Sequence, residues 1–535
     1  MIARPGGETA DWWFRAGAIA AHQRRDGGMA PARNLILFVG DGMSLPTVAA
    51  ARMLAGQRSG QPGEETRLSF EDLPYTALAR TDNTDSQTPD SAGTMTALMT
   101  GAKTRIGMLS VAQSAVRGDC ASARGAGLAT LLELSEAAGL STGVVTTTRL
   151  THATPAAAYA HASERGWEND SDMPAAALAA GCTDIARQWV EFPVGDGIEV
   201  ALGGGRSQFL PRAPAQAADP QRAGWRNDGR DLIAQWQGRY PEGRYVRDAA
   251  ELAAVDPDRS PRLLGLFAAD HMAYEHDRGR GAAGEPSLAQ MTAAALRVLK
   301  KNRNGYLRVV EGGRIDHAHH AGNAYRALDE TIAFADAVRV AMESAGDDTL
   351  VVVTADHSHT LSLGGYPRRG NPILGKVVGR SNEDDEPSFA EDALGLPFTT
   401  LSYANGPGYA GASELQPEGP KRFPHQPRKV APATSHPDLR DVDTQSPDFL
   451  QPAYFPLRSQ THGSDDVGVW ASGPGASAMR GSLEQNVVFH VMLQAQPALV
   501  ALLCRMGACE QGVPVRRPSL DALLQATPTG GTTRR

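Results

Sequence analysis

The sequence predicts an α/β fold: a mostly parallel central sheet, helices on both faces, and a loop-rich insertion. Three observations carry this. Short apolar runs end in Gly or just before a charged residue, helical patterns lie between them, and one long stretch rich in Pro and Gly has neither period. The first run, Ala32 to Gly40, reads as a buried parallel strand and leads into Asp41-Gly42. Gly139 to Thr148 is a second β-rich run. Gly305 to Val310 is a third and stops at Glu311. Thr349 to Thr354 is a fourth and stops before Ala355-Asp356-His357. Helical patterns at Leu128 to Ala138, Pro286 to Lys301 and Asn323 to Ala345 alternate with these strands.

The organisation this predicts has four parts. An N-terminal arm covers residues 1–30, and a discontinuous core covers 31–371 and 461–513. The loop-rich insertion covers 372–460, and a flexible tail covers 514–535. Gly203-Gly204-Gly205-Arg206 reads as a turn, because a lone Gly run is a weak phosphate-loop signal.

Composition narrows the function. The net charge of −8 is the wrong sign for a nucleic-acid footprint. No apolar run approaches the ~20 residues of a membrane span. Met1 to Ala30 lacks the basic start and long apolar stretch of a secretory signal. Four cysteines, Cys120, Cys182, Cys504 and Cys509, show no zinc-type spacing. They read equally as two disulfides or as four buried thiols.

Chemistry gathers at the strand ends. Ligands of open α/β sheets bind outside the carboxyl ends of the strands, and Asp41, Glu311, Asp356 and His357 all stand there. In I-D-H-A-H-H, Asp316 and His320 lie four apart, on one helical face, a spacing that suits two ligands of one zinc ion. T-A-D-H-S-H-T adds Asp356 and His357, whereas His462, in S-Q-T-H-G-S-D-D-V before a strand at Val467 to Ala471, reads by itself as a structural or exposed histidine. The segment T-P-D-S-A-G-T opens a small-residue helix near Ser91, whose positive end suits a phosphate. Asp90 or Ser91 equally fits a plain N-cap. His152 and Thr154 follow the second strand, and Arg165 is expected on a helix beyond them, with a planar fork suited to phosphate.

Six motifs in order, D-G-M, P-D-S-A-G-T, H-A-T-P-A, V-E-G-G-R-I-D-H-A-H-H, T-A-D-H-S-H and T-H-G-S-D-D-V, resemble the alkaline phosphatase family. His152, His317, G-G-Y-P-R-R-G and Y-A-N-G-P-G-Y resemble its animal-like branch, and the resemblance implies a bacterial member of it. The resemblance implies Ser91 as a nucleophile that becomes phosphorylated and Arg165 as a phosphate clamp. It implies two zinc ions, one on Asp316, His320 and His462, the other on Asp41, Asp356 and His357. It implies one magnesium on Asp41, Thr154 and Glu311, with His152 and His317 beside the site, and gives His319 and His359 packing roles. The cysteines then resemble two bridges, Cys120–Cys182 and Cys504–Cys509, which point to a periplasmic or secreted enzyme. The insertion resembles a crown region at a homodimer interface. The substrates implied are small phosphate monoesters over a broad range. Relatives carry a calcium site; here Ala268 stands where an acid is expected, so no tight calcium site is expected unless Asp270 or Asp277 compensates.

Overall fold

The structure is a computed structural model, and it describes residues 7–25, 30–212, 223–279, 284–379 and 388–526. Its centre is a ten-stranded sheet. In chain order the strands that matter here are β1 (Asn34–Gly40), β2 (Tyr75–Arg80), β3 (Ser141–Arg149), β4 (Val200–Gly204), β5 (Arg244–Val246), β6 (Leu263–Leu266), β7 (Tyr306–Gly312) and β8 (Thr349–Ala355). Then come β9 (Ser358–His359), β10 (Leu361–Leu363), β11 (Leu401–Gly406), β12 (Ala453–Pro456), β13 (His462–Gly463), β14 (Val467–Ser472) and β15 (Gly481–Glu484). The sheet order is β15-β2-β14-β8-β1-β7-β3-β4-β6-β5, and among its described strands β14 alone is antiparallel to its neighbours.

Every residue of β1, β7 and β8 is buried, as expected of parallel strands covered on both faces. Their register aligns the functional ends. Val39 pairs with Glu311, Gly40 with Ala355, and Thr146 with Glu311. Asp41, Asp356 and Glu311 therefore emerge at one edge.

The expected helices form with short capping corrections. Leu131–Ala137 starts three residues later than its apolar pattern because Thr130 and Glu133 close a capping box. Ser287 and Gln290 do the same for Leu288–Leu299, and Asn323 caps Ala324–Ser344.

Three segments depart from expectation. The N-terminal arm carries a helix, Ala10–Gln23, that buries Trp13, Phe14, Ala18 and Ala21. It packs on Asn486–Ala495 closely enough that a Cβ at Gly17 would come 2.5 Å from the His490 ring. The tail is not simply flexible: Leu520–Ala526 is helical and Leu523 is fully buried, because this short amphipathic stretch finds an apolar face to dock on. Residues 527–535 lie outside the described residues. Gly203 and Gly204 end β4 rather than forming the turn, which falls at Gly205 with a φ of +90°.

The insertion has few regular elements, as its composition implies. Carbonyl groups gathered on half-buried Lys376 and buried Lys421 organise it: Lys376 Nζ donates to Leu439, Arg440 and Val442, and Lys421 Nζ to Ala410, Pro417 and Gly419. Strand β11 joins it to the core through β10. Cys120 is bridged to Cys182 and Cys504 to Cys509. Among the described residues no single helix is long and apolar enough to cross a membrane.

Candidate active site

The carboxyl ends of β8, β1, β7 and β3 deliver the predicted residues into one buried cluster. Asp41, Glu311, Asp356 and His357 are fully buried, and Asp316 is nearly so. Ser91 stands at the start of the helix Ser91–Thr100, capped by Asp90, whose side chain accepts from the Gly93 amide. Its Oγ lies 3.3 Å from Asp41 Oδ1 and 3.1 Å from His357 Nε2. The cap and the serine are thus different residues, which resolves the ambiguity of the sequence.

Three adjoining groups of potential ligands surround Ser91. In the first, His357 Nε2 lies 3.3 Å from Asp41 and 3.4 Å from Asp356. In the second, Asp316 lies 3.4 Å from His320 Nε2 and 3.4 Å from His462 Nε2, while those two nitrogens are 3.1 Å apart. The third joins Asp41, His152 and Glu311. Thr154 Oγ1 reaches Asp41 Oδ2 at 3.4 Å, and Thr148 Oγ1 reaches Glu311 at 3.1 Å.

These donors fit metal cations. His320 Nδ1 donates to the Gln460 carbonyl and His462 Nδ1 to that of Pro89, so in their neutral forms both rings turn a lone pair toward the other. Two lone pairs and a carboxylate facing one point need a cation between them. Glu311 Oε1 is buried without a hydrogen-bond partner, an oxygen site open to a hard cation. Electrostatics agree. Burial, then Asp356, Asp316 and Glu311, hold Asp41 well above the usual carboxylate range. Burial pushes Glu311 up to about 7 and Asp356 up to about 6. Burial opposes ionisation of Asp316 too, but His320, His359 and His462 outweigh it and hold it low.

Arg165 lies in a turn, not on the expected helix, and its amide donates to the Gly107 carbonyl. Its fork reaches Asp90 Oδ2 at 3.0 Å and His152 Nε2 at 3.1 Å, beside the nucleophile segment. His317 packs against His152 with ring centres 5.3 Å apart.

Three histidines have places the sequence did not define. His359 contacts Asp316 at 2.6 Å and also meets Gln460, so it orients that carboxylate. His319 bonds Thr47 and Tyr403 and holds the helix Arg314–His320 to the core. His271 was passed over; its ring lies 4.2 Å from that of His317. The only signal was its position just after the strand Leu263–Leu266. Asp270 and Asp277, the two acids able to compensate for Ala268, pair with Arg149 at 2.7 Å and Arg326 at 2.8 Å.

A parallel-sheet edge with clustered carboxylates and imidazoles around a helix-terminal serine defines an α/β metal-dependent hydrolase. The sequence profile of the alkaline phosphatase family matches residues 32–497. The chain is 41% identical to an alkaline phosphatase of Gadus morhua, over 87% of this chain and 91% of that one. It is 43% identical to the tissue-nonspecific alkaline phosphatase of Gallus gallus, over 87% and 84%. Among solved structures it resembles the alkaline phosphatase of Thermus thermophilus, with TM-score 0.61 and 27% identity over 90% and 94% of the chains. The enzyme of the Antarctic bacterium TAB5 shares the fold, with TM-score 0.55 and 21% identity over 88% and 99%. This chain belongs to the alkaline phosphatase family, and it is a phosphoric monoester hydrolase.

Proposed function

We propose that the enzyme hydrolyses a broad range of phosphate monoesters through a phosphoserine at Ser91. The observation that carries this is the Ser91 hydroxyl, seated at a helix N-terminus and within 3.3 Å of both Asp41 and His357. Asp316, His320 and His462 would hold one zinc ion, Asp41, Asp356 and His357 a second, and Asp41, Thr154 and Glu311 a magnesium ion. When bound, these ions supply Lewis-acid stabilisation of oxygen charge on the nucleophile, the leaving group and the phosphoryl oxygens.

The chain's own groups do the rest. The Ser91 hydroxyl gives its proton to solvent as its oxygen attacks phosphorus, the ester bond to the alcohol breaks, and the alcohol leaves with a proton from solvent. Water then attacks the phosphoserine, releases inorganic phosphate and restores the Ser91 hydroxyl. The helix N-terminus favours the anion, and Arg165, held on Asp90, offers its fork to the phosphoryl oxygens. The site has four buried carboxylates, Asp41, Glu311, Asp316 and Asp356, so bound cations and Arg165 must outweigh their charge before an anionic substrate can enter. Ser91→Ala tests the reading: turnover of p-nitrophenyl phosphate should fall by ~10³-fold or more with metal content unchanged. Wild-type rates in that variant would refute it.

Other parts of the proposal follow from the fold's surroundings. The two bridges favour an oxidising compartment, so the enzyme acts in a periplasm or outside the cell. The insertion at 372–460 forms the interface of a homodimer. No calcium site is assigned, since Asp270 and Asp277 are committed to arginines.

A further inference from the structure

Strand β7 carries two charged residues, Arg308 and Glu311, in an otherwise uncharged run. Glu311 belongs to the site described above, and Arg308 does not. Side chains alternate along a strand, so residues three apart leave opposite faces of the sheet. Arg308 points to the face covered by the helix Leu288–Leu299, where its Nη1 donates to the Thr292 carbonyl at 3.0 Å. Both residues are fully buried. That bond is the only one this guanidinium makes among the described residues. Its Nε and Nη2 are buried without a partner, and so is the Thr292 hydroxyl. Nε and Nη2 form one edge of the guanidinium, which presents two parallel N–H groups suited to an anion.

The charge has no counter-charge in the protein. Among the described residues no carboxylate acts on Arg308: burial lowers it to about 10, and Tyr306 alone opposes this. The guanidinium therefore stays protonated at neutral pH. Tyr306 is neutral there, because burial lifts its hydroxyl above the ordinary range. The register partners of Arg308 are Ile36 in β1 and Gly143 in β3, so neither neighbouring strand sets a polar side chain beside it. The ring of Phe38 lies 5.6 Å from the guanidinium carbon, a weak attraction against the cost of burying a whole charge. Water would satisfy the two free N–H groups but leave the charge unpaired.

We propose that Arg308 and Thr292 form a buried binding site for one small monovalent anion, a halide such as chloride. The Nε–Nη2 edge of Arg308 and the Thr292 hydroxyl donate to the ion, which neutralises the guanidinium beneath the helix Leu288–Leu299. Charge selects this class: one guanidinium balances one negative charge, and a dianion such as phosphate would leave the second uncompensated among Phe38 and Ile36. The site lies on the face of β7 opposite Glu311. It depends on no metal ion and on no step of the Ser91 chemistry.

The test uses the metal-loaded, full-length enzyme crystallised from bromide. Anomalous diffraction at the bromine edge should show one peak within about 3.5 Å of Arg308 Nε and Nη2. Density at that edge with no anomalous signal, as from water, would overturn the proposal. In solution, chloride replaces gluconate at constant ionic strength, which holds screening fixed. A hundredfold rise in chloride should lift the unfolding midpoint of the wild-type enzyme by about 2 °C, the shift one folded-state site gives a chain of this size. Arg308→Leu should abolish the shift. Thr292→Val keeps the arginine and should weaken it. A wild-type midpoint indifferent to chloride, or a full shift retained in Arg308→Leu, would overturn the proposal. The bromide peak in wild-type crystals decides the matter even where a variant fails to fold.

Discussion

Both ends of the sheet carry a buried acidic cluster, and they are built to opposite purposes. At the carboxyl ends, Asp41, Asp356, Glu311 and Asp316 stand among histidines whose ring nitrogens face inward. At the amino ends, before β3, β4 and β6, Glu136 and Glu199 are buried beside Asp196. There the protein supplies its own cation. Arg262 Nη2 lies 3.3 Å from Asp196 and 3.8 Å from Glu199. Thr142 donates its amide to Glu199 and its hydroxyl to Glu136. Burial, then the neighbouring Glu199, raises Glu136 well above the carboxylate range, and burial takes Glu199 to about 7. The difference teaches that acidic density alone does not make a metal site. What marks the functional end is the set of inward histidine lone pairs beside the carboxylates, next to a serine on a helix N-terminus.

The contrast can be broken most strongly by chelation. EDTA should lower turnover by ~10³-fold or more, because in the proposed mechanism bound ions would supply the charge stabilisation of the transfer. Glu199→Gln should leave metal content equal to wild type by elemental analysis, while Asp316→Asn should lose metal. Metal loss in Glu199→Gln would put an ion at the amino end and erase the distinction.

A smaller effect belongs to Arg262. Arg262→Ala leaves a buried carboxylate without its partner, which costs about 3–5 kcal/mol where the pair is fully buried. Denaturant unfolding should show a loss near the lower figure, since Asp196 is largely exposed, with kcat/KM unchanged. A fall in kcat/KM at unchanged stability would contradict the structural role.

The smallest effect is one of pH. Glu311 is raised from its ordinary 4.5 to about 7, first by burial. Between those values the unfolded chain has already released the proton that the folded chain keeps, so folding stability falls as pH rises. In metal-stripped protein this should cost on the order of 2–3 kcal/mol between pH 4.5 and 7. Restored metal should flatten the slope, because a cation favours the ionised carboxylate. A stripped protein whose stability rises across that window would refute the reading.

Much of the site was readable because its carboxylates and histidine end apolar strands. Asp41, Glu311, Asp356 and His357 stand within a residue or two of β1, β7 and β8, and parallel register puts such ends side by side. Asp316 and His320 were readable from helical spacing alone. His462 was not, because its placement depends on β13 pairing back onto β9, a contact spanning some hundred residues that no local pattern encodes. His271 escaped for the same reason: its ring reaches the site only once β6 is laid in the sheet. Arg165 was found as a residue but placed on a helix, since the stretch from Ala153 reads as continuous helix former; the helix ends at Ala156. The short strands β2, β5 and β15 gave no apolar run, as each is partly exposed at or near a sheet edge. The docked arm and tail were missed because their stability comes from tertiary packing of short amphipathic faces.

The central claim is the covalent role of Ser91. Wild-type enzyme mixed with a phosphate monoester and quenched in acid should carry a phosphoryl group, and peptide mass mapping should place it on Ser91. Turnover without any phosphorylated protein, or with the group on another residue, would contradict the account.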